Sequence, residues 1–254
     1  LRMDLKLTGH NVIITGGTKG IGRAIAETLA EEGCNIAICA RNADDVSSAV
    51  ASLSAKGVKV TGQALDVADG DAFAAWINSV GEELGGIDAF VSNVSGGNAP
   101  GDAGWISQFN YNILSAVHGV EACKPFFEKS SNASVVMIST TAALEHFMNA
   151  GPYNAMKAGL LNYSGALSQE LGAKGVRVNA ISPGPVFIEG GSWDKIKQGM
   201  TAFYDSTLAT IPLGRMGTAE EIAAQAALLI SPLGGFTTGT NVVIDGGMTK
   251  RIQY

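Results

Sequence analysis

Short runs of apolar and β-branched residues alternate with longer helical patterns along almost the whole chain. Seven runs are predicted as strands: residues 11–15, 35–40, 58–65, 87–93, 134–139, 176–182 and 241–245. Several are nearly apolar throughout, which is typical of strands covered on both faces of a parallel sheet. Strand–helix–strand units with right-handed crossovers build a doubly wound sheet. The sequence therefore predicts an α/β fold with a seven-stranded parallel sheet and helices on both faces.

The alternation runs without a linker, an internal repeat or a low-complexity tract, so we expect one domain over residues 1–254. Hydrophobic residues make up 46% of the chain and charged residues 16%, which indicates a well-cored globular protein. The alternation is interrupted at about 185–215, a segment rich in glycine, proline and aromatic residues after the sixth strand. Such an insertion predicts a lid over a substrate pocket.

Charge and cysteine content argue against several classes of protein. The net charge of −6, with no basic cluster, argues against nucleic-acid binding. No apolar run approaches the ~18 residues of a membrane span, and the N-terminal region lacks the hydrophobic stretch of a signal peptide. Cys34, Cys39 and Cys123 form no Cys-x-x-Cys pair, which favours reduced thiols. We expect a cytoplasmic protein with no metal site that binds neither nucleic acid nor membrane.

A glycine-rich turn, Thr-Gly-Gly-Thr-Lys-Gly-Ile-Gly, occupies residues 15–22 between the first strand and the first helix. Gly16 permits a tight turn, Gly20 lets the backbone approach a pyrophosphate, and Gly22 lets the helix pack closely. The free N–H groups at the start of the helix face the anion. The strand before the turn and the helix after it favour a dinucleotide site over an ordinary turn.

The glycine spacing resembles that of the classical short-chain dehydrogenases/reductases (SDR), whose signature is Thr-Gly-x-x-x-Gly-x-Gly. Further matches lie along nearly the whole chain: Leu-Asp-Val at 65–67, Val-Ser-Asn-Val-Ser-Gly-Gly at 91–97, Asn112, Ser-Pro-Gly-Pro-Val at 182–186 and Thr-Gly-Thr-Asn-Val-Val-Ile-Asp-Gly-Gly at 238–247. The resemblance implies a Rossmann fold, a nicotinamide dinucleotide, and hydride transfer between an alcohol and a ketone or aldehyde. It also implies a homo-oligomer, a dimer or a tetramer.

The same resemblance implies which residues bind the dinucleotide. They come from the glycine turn, the ends of the next three strands, the helix after the fifth strand and the Pro-Gly step: Gly16, Thr18, Lys19, Gly20, Ile21, Gly22, Arg41, Asp66, Val67, Asn93, Tyr153, Lys157, Pro183, Gly184 and Val186.

The end of the second strand bears on the choice between NAD and NADP. An NAD enzyme of this architecture usually places a carboxylate there for the ribose hydroxyls, whereas this chain has Ala40 followed by Arg41. A guanidinium binds a 2′-phosphate through paired donors, and Lys19 can add a second positive charge. The pattern favours NADP(H). Alternatively both cations are ordinary solvated charges, and Asp44 or Asp45 serves an NAD ribose.

Tyr153 and Lys157 lie four positions apart in a helical pattern, so both side chains can face one crevice. An ammonium beside a phenol favours the phenolate and lowers the tyrosine pKa from about 10. The resemblance implies that Tyr153 is the general acid/base and that Lys157 activates it and binds the nicotinamide ribose. By spacing alone, the two residues could equally be unrelated side chains on one helix.

Two further residues complete the implied catalytic set. Thr140 stands thirteen positions before Tyr153, where the family normally carries a serine that holds the substrate oxygen. Threonine keeps the hydroxyl but adds a methyl group, so we assign it that role; alternatively it only ends a strand. Asn112 is implied to bind a water that connects Lys157 to solvent, or else it braces a helix.

Other positions depart from the family pattern or bear on the substrate. Val94 and Ser95 replace Ala and Gly near the cofactor, with Gly96-Gly97 able to compensate, and Ile188 replaces a threonine. A hydrophobic or aromatic carbonyl substrate is predicted from apolar residues of the lid and of the opposite wall: Phe187, Trp193, Met200, Phe203 and Tyr204, with Phe147 and Met148. Glu145 and His146 receive no catalytic role.

The leading hypothesis is an NADP(H)-dependent oxidoreductase that interconverts a ketone or aldehyde and an alcohol. A catalytically silent dinucleotide sensor on the same fold and an NAD-preferring alcohol dehydrogenase are the alternatives. An epimerase or dehydratase of the extended relatives is disfavoured, because this chain lacks their C-terminal substrate domain.

Overall fold

A single parallel sheet of seven strands forms the centre of the computed structural model, which describes residues 4–97, 99–147 and 150–251. The strands are β1 (Asn11–Thr15), β2 (Asn35–Ala40), β3 (Val60–Ala64), β4 (Ala89–Ser92), β5 (Ser134–Ile138), β6 (Arg177–Pro183) and β7 (Asn241–Ile244). Their order is β3-β2-β1-β4-β5-β6-β7, and every pair is parallel. The predicted fold class is confirmed, and each predicted strand is present with ends that shift by a few residues.

Helices cover both faces of this sheet. The α-helices of the described residues are α1 (Gly20–Glu31), α2 (Ala43–Ser54), α3 (Gly70–Leu84), α4 (Gly101–Phe109), α5 (Ser115–Phe127), α6 (Pro152–Gly172), α7 (Ser192–Gly199), α8 (Thr201–Leu208) and α9 (Ala219–Ile230). A π-helical turn (Asn110–Leu114) joins α4 to α5, and short 3₁₀ turns follow β5 (Thr141–Ala143) and α9 (Pro232–Gly234).

The central strands are buried from end to end, because apolar clusters lie on both faces of the sheet. Every residue of β1, β4, β5 and β6 is buried. On one face α1 packs against α9, and on the other α3 packs against α5. This two-sided cover explains why the strands read as continuous apolar runs rather than alternating ones.

The strand order reverses between β1 and β4, and this reversal locates the crevice. The register Val12↔Ala89 and Ile14↔Val91 brings the carboxyl ends of the two strands side by side. In open α/β sheets, ligands bind outside the carboxyl ends of the strands at such a switch point. The glycine turn after β1 and Asn93 after β4 therefore share one crevice.

The segment 185–215 leaves the sheet after β6 and returns before α9. No residue of α7 is buried, and only Thr207 is buried in α8, both helices being fully described. At the two ends the segment is tied to the body, through a parallel bridge between Val186 and Gly217 and through buried Ile211.

Within residues 4–97, 99–147 and 150–251, no helix has both the length and the apolar character needed to cross a membrane.

Candidate active site

The glycine turn is shaped by contacts that leave no room for side chains. Gly16 has a φ of +66°, and a Cβ on it would lie 3.1 Å from Nδ2 of Asn93. A Cβ on Gly22 would lie 2.4 Å from both that nitrogen and the carbonyl oxygen of Gly16. The first turn of α1 contains no acidic residue, and no side chain caps its start at Lys19. The turn therefore fits an anion at the helix N-terminus.

Asn93 holds the glycine turn to the end of β4. Its backbone N–H donates to the Thr15 hydroxyl (2.9 Å), and its side-chain amide donates to the carbonyl oxygen of Thr15 (3.1 Å). The Thr15 hydroxyl in turn donates to the carbonyl oxygen of Val91 (3.3 Å). The structure thus places Asn93 in the predicted cofactor crevice, where its side chain braces the turn.

The predicted adenine side brings together Asp66, Arg41 and a residue that the sequence analysis missed. The Tyr111 hydroxyl donates to Oδ2 of Asp66 (2.7 Å), and the Arg41 guanidinium lies 5.8 Å from the Tyr111 ring centroid. The other oxygen of Asp66 accepts from the backbone N–H of Ala68, and Val67 is buried. Tyr111 could have been suspected from its place one residue before Asn112, but its partner is 45 positions away.

The two cations that favoured NADP(H) have different surroundings. Arg41 is exposed and follows Ala40 at the end of β2. Lys19 forms an ion pair with Asp45 (2.6 Å), one of the two carboxylates considered for an NAD ribose. The structure therefore places a cation and an anion together at this rim. Of the remaining residues of the turn, Thr18 and Ile21 are half-buried.

The opposite wall of the crevice comes from the end of β6. Pro183 closes that strand, and the backbone N–H of Gly184 donates to the carbonyl oxygen of Ile244 in β7 (2.9 Å). A Cβ on Gly184 would lie 2.7 Å from Cβ of Asp245, so glycine is required there. Ile188 is half-buried and packs toward Gly20. A Cβ added to Gly20 would lie 3.4 Å from Cδ1 of Ile188.

Thr140 and Tyr153 are brought together at the carboxyl edge of the sheet. Thr140 lies two residues after the end of β5, and its hydroxyl oxygen accepts from the backbone N–H of Ala142 (3.2 Å). Because the oxygen accepts there, the hydroxyl proton is the group that Thr140 can donate. Burial raises the pKa of the Tyr153 phenol, and a side-chain hydrogen bond with Thr140 opposes that rise.

Lys157 is 3% exposed, and its Nζ donates to the carbonyl oxygen of Ile138 (2.7 Å). Its own backbone carbonyl accepts from the Ser139 hydroxyl (3.1 Å). Burial lowers the pKa of Lys157 to about 7. The structure here differs from the expectation that Lys157 lowers the Tyr153 pKa: burial of the phenol dominates, and the ammonium is engaged by a backbone carbonyl.

Asn112 lies within the π-helical turn, an element that often marks functional sites. Its Nδ2 donates to the backbone carbonyl of Gln108 (2.9 Å) and to the side-chain oxygen of the same residue (2.5 Å). Its Oδ1 is buried and has no hydrogen-bond partner among the described residues. A buried acceptor of this kind requires a donor, which fits the water-binding role implied for Asn112.

Aromatic residues of the segment 185–215 contact the loop after β5. The Trp193 ring stacks on Phe203 with centroids 6.1 Å apart and also contacts Tyr204 (6.4 Å) and Phe147 (6.5 Å). Phe187 lies under the Lys197 ammonium, 5.3 Å from it, and Met200 is exposed. Phe147 thus faces the segment as expected, whereas Met148 lies outside the described residues.

The two polar residues without a predicted role have different environments. Glu145 accepts from the backbone N–H groups of Lys250 (2.8 Å) and Arg251 (3.1 Å), so it ties the C-terminal residues to the loop after β5. His146 is exposed. Within the described part of the chain, no three His, Cys, Asp or Glu side chains are grouped as a metal site.

Comparison with known proteins gives one consistent family. A family model described as Enoyl-(Acyl carrier protein) reductase matches residues 16–249. Isoepoxydon dehydrogenase patN from Penicillium expansum is 36% identical over 255 residues, covering 98% of each chain. An L-sorbose reductase from Gluconobacter frateurii, complexed with NADPH and L-sorbose, superposes with a TM-score of 0.90 at 29% identity over 98% of this chain and 100% of that one.

An NAD⁺-bound xylitol dehydrogenase is similar as well, with a TM-score of 0.88 at 27% identity over 95% of this chain and 100% of that one. The sequence motifs, the strand order and these similarities agree. The chain therefore belongs to the short-chain dehydrogenase/reductase family of oxidoreductases, which interconvert CH–OH and carbonyl groups with a nicotinamide dinucleotide.

Proposed function

We propose that this chain is an NADP(H)-dependent oxidoreductase that interconverts a ketone or aldehyde and an alcohol, with Tyr153 as general acid/base. The observation that carries the proposal is the buried Lys157 one helical turn after Tyr153 on α6, with Thr140 near enough to the phenol to oppose the rise in its pKa. These side chains lie at the carboxyl edge of the sheet that also bears the glycine turn. We further propose that residues 1–254 act as one domain, with 185–215 as a substrate lid.

Tyr153 supplies the proton in carbonyl reduction. Its raised pKa keeps the phenol protonated near neutral pH, the state that a proton donor needs. The Thr140 hydroxyl, which accepts from Ala142, donates its proton to the same substrate oxygen and stabilises the developing alkoxide. The dinucleotide, when bound, supplies or accepts the hydride. In alcohol oxidation Tyr153 takes the proton instead.

Lys157 restores the proton to Tyr153. With a pKa of about 7, its Nζ can both carry and release a proton near neutral pH. Asn112 keeps an acceptor oxygen free in the buried interior, where a water can join Lys157 to solvent. Lys157 and the glycine turn would hold the ribose and pyrophosphate of the dinucleotide.

NADP(H) is proposed over NAD(H) because Ala40 stands where a ribose-binding carboxylate would otherwise lie, and the exposed Arg41 follows it. The relatives with known cofactors include one with NADPH and one with NAD⁺. Asp45 pairs with Lys19 and so partly neutralises one of the two cations that would bind a 2′-phosphate. NAD(H) is therefore the alternative. Titrating the protein with NADPH and with NADH, followed by fluorescence, tests the preference.

Arg41→Asp is the sharper test of the cofactor. We expect it to weaken NADPH binding at least about tenfold while NADH binding changes little, because a carboxylate repels the 2′-phosphate. Lys59→Asp makes the same charge change at an exposed position at the other end of the strands and should leave both affinities unaltered. An unchanged NADPH preference in Arg41→Asp would show the proposed 2′-phosphate site to be wrong.

Turnover separates the enzyme from the silent-sensor alternative. Loss of NADPH absorbance at 340 nm is followed with a panel of ketones and aldehydes weighted toward apolar and aromatic compounds, since Trp193 of the proposed lid contacts Phe147 of the loop after β5. We expect turnover of at least one compound by the wild type and none by Tyr153→Phe. Cofactor binding without turnover of any compound contradicts the proposal.

We also propose a cytoplasmic homo-oligomer, a dimer or a tetramer. Trp105, Ile106 and Phe109 expose large apolar surfaces on α4. Burial raises the pKa of Cys34 and Cys39 to about 12, which suits inert thiols in a reducing compartment. Sedimentation velocity measures the oligomeric state. A monomer at micromolar concentration would contradict the proposed dimer or tetramer.

A further inference from the structure

Gln108 is a buried polar side chain that joins the loop after β4 to Asn112. It is 1% exposed, and its Nε2 donates to the carbonyl oxygens of Gly96 (2.9 Å) and Gly97 (3.2 Å). Its Oε1 accepts from Nδ2 of Asn112 (2.5 Å). Every polar atom of this side chain therefore has a partner. Gln108 is hydrogen-bonded both to the loop after β4 and to Asn112.

The two backbone carbonyls determine the direction of both amides. A carbonyl oxygen can only accept, so the Gln108 atom between Gly96 and Gly97 must be the donor Nε2. Oε1 then faces Asn112, and an acceptor there requires Nδ2 of Asn112 opposite it. The backbone carbonyl of Gln108 accepts from the same nitrogen (2.9 Å). Asn112 is thus left with Oδ1, a pure acceptor, as its free end.

The same contacts explain how the chain accommodates its departures at Val94 and Ser95. The loop lies directly on α4, since a Cβ on Gly96 would lie 2.8 Å from Cα of Gln108 and 2.8 Å from the carbonyl carbon of Ser107. The backbone N–H of Gly97 donates to the Ser107 hydroxyl (3.2 Å). Gly96 and Gly97 therefore let the loop reach Gln108, which holds it by two hydrogen bonds.

We propose that Gln108 is a positioning residue for catalysis. It fixes the Asn112 amide with Oδ1 free to accept a hydrogen bond from a water, and it couples this orientation to the position of the loop 94–97. The inference rests on the proposed function, in which Asn112 binds the water that serves Lys157. Glutamine is suited to this place because it donates to the carbonyls with one end and accepts from Asn112 with the other.

Gln108→Glu tests the proposal by pH. An ionised carboxylate has no donor for the carbonyls of Gly96 and Gly97, whereas a protonated carboxyl has one and mimics the amide. Burial raises the pKa of such a carboxyl. We therefore expect the kcat of Gln108→Glu, at saturating substrate and cofactor, to be at least about tenfold below wild type at pH 8. As the pH falls through that raised pKa, the kcat of Gln108→Glu should rise to within about threefold of the wild-type kcat at the same pH.

Gln108→Leu and Gln169→Glu are the controls. Gln108→Leu cannot donate at any pH, so its deficit in kcat should not recover on acidification. Gln169 is exposed on α6, and its change to glutamate should leave kcat and its pH profile at wild-type values. A Gln108→Glu variant that matches wild type at every pH, or whose deficit equals that of Gln108→Leu at every pH, overturns the proposal.

A neutron structure of the wild-type protein reads the amide direction without any turnover. Deuterons on the Asn112 nitrogen that faces Gln108 support the inference, and deuterons on the opposite side overturn it. This measurement remains decisive if no substrate is turned over, so failure of the proposed function and failure of this inference are distinguishable.

Discussion

The proposed reaction centre and the segment 185–215 are held by different interactions. Lys157 and Asn112 are 3% and 1% exposed and are fixed by hydrogen bonds to the backbone carbonyls of Ile138 and Gln108. In contrast, α7 has no buried residue, and contacts between aromatic rings connect Trp193 to its neighbours.

This difference separates chemistry from access. Buried polar groups are costly when their partners are lost, so these hydrogen bonds hold Lys157 and Asn112 in one geometry. A segment with few buried contacts opens at low free-energy cost, as ligand-binding lids do. We therefore expect substitutions at the centre to act on kcat and substitutions in the segment to act mainly on KM.

Lys157→Met should produce the largest effect of the three substitutions proposed for this comparison. We expect kcat to fall by about 10²–10³-fold because the proposed proton relay to Tyr153 would be lost. The variant should nevertheless be more stable near neutral pH, because it removes a buried group whose pKa is lowered to about 7.

The sign follows from proton binding. Between pH about 7 and 10.5 the unfolded chain binds a proton at Lys157 that the folded chain does not, so the free energy of unfolding of the wild type rises with pH in this window. Lys157→Met should lose that rise, whereas Lys174→Met, at an exposed lysine, should keep it. Urea unfolding at several pH values measures this pH dependence. If Lys157→Met keeps the pH dependence of the wild type, the lowered pKa does not belong to Lys157.

Thr140→Ala should have an intermediate effect. Loss of the hydroxyl proposed to contact the substrate oxygen is expected to lower kcat by roughly 10–100-fold. It also removes the hydrogen bond that opposes the rise in the Tyr153 pKa, so the basic limb of the pH profile for reduction should move to higher pH. Thr140→Ser should retain most activity, and Thr141→Ala is the neighbouring control. If Thr141→Ala is as damaging as Thr140→Ala, the role belongs to the loop and not to Thr140.

Trp193→Ala should have the smallest effect on the chemistry. It removes the ring that contacts Phe147, Phe203 and Tyr204, so KM for an apolar substrate should rise roughly fivefold while kcat changes less than about threefold. Trp193→Phe should keep most of the affinity. A fall in kcat as large as that of Thr140→Ala would show that the segment takes part in the chemistry.

The sequence predicted those features that depend on local pattern. The strands follow from apolar runs, and the glycine turn follows from its place between β1 and α1, so the crevice and its anion-binding helix start were expected. Tyr153 and Lys157 could be paired because four positions on a helix share a face.

Features that depend on distant partners were not predicted. Gln108 became informative only once the fold placed Gly96 and Gly97 against it, and Tyr111 only once it met Asp66. The sequence also did not predict that the Tyr153 pKa is raised. Burial is a property of the packed protein, and its effect on this pKa outweighs that of a neighbour inferred from spacing.

Single-turnover reduction by Tyr153→Phe tests the central claim most directly. NADPH-loaded protein is mixed with a substrate that the wild type reduces, and hydride transfer is followed by stopped-flow absorbance alongside NADPH affinity, with Tyr163→Phe on the same helix as control. We expect the rate to fall at least about 10³-fold while NADPH affinity stays within about threefold of wild type. A Tyr153→Phe rate close to wild type would contradict the assignment of this phenol as the proton donor.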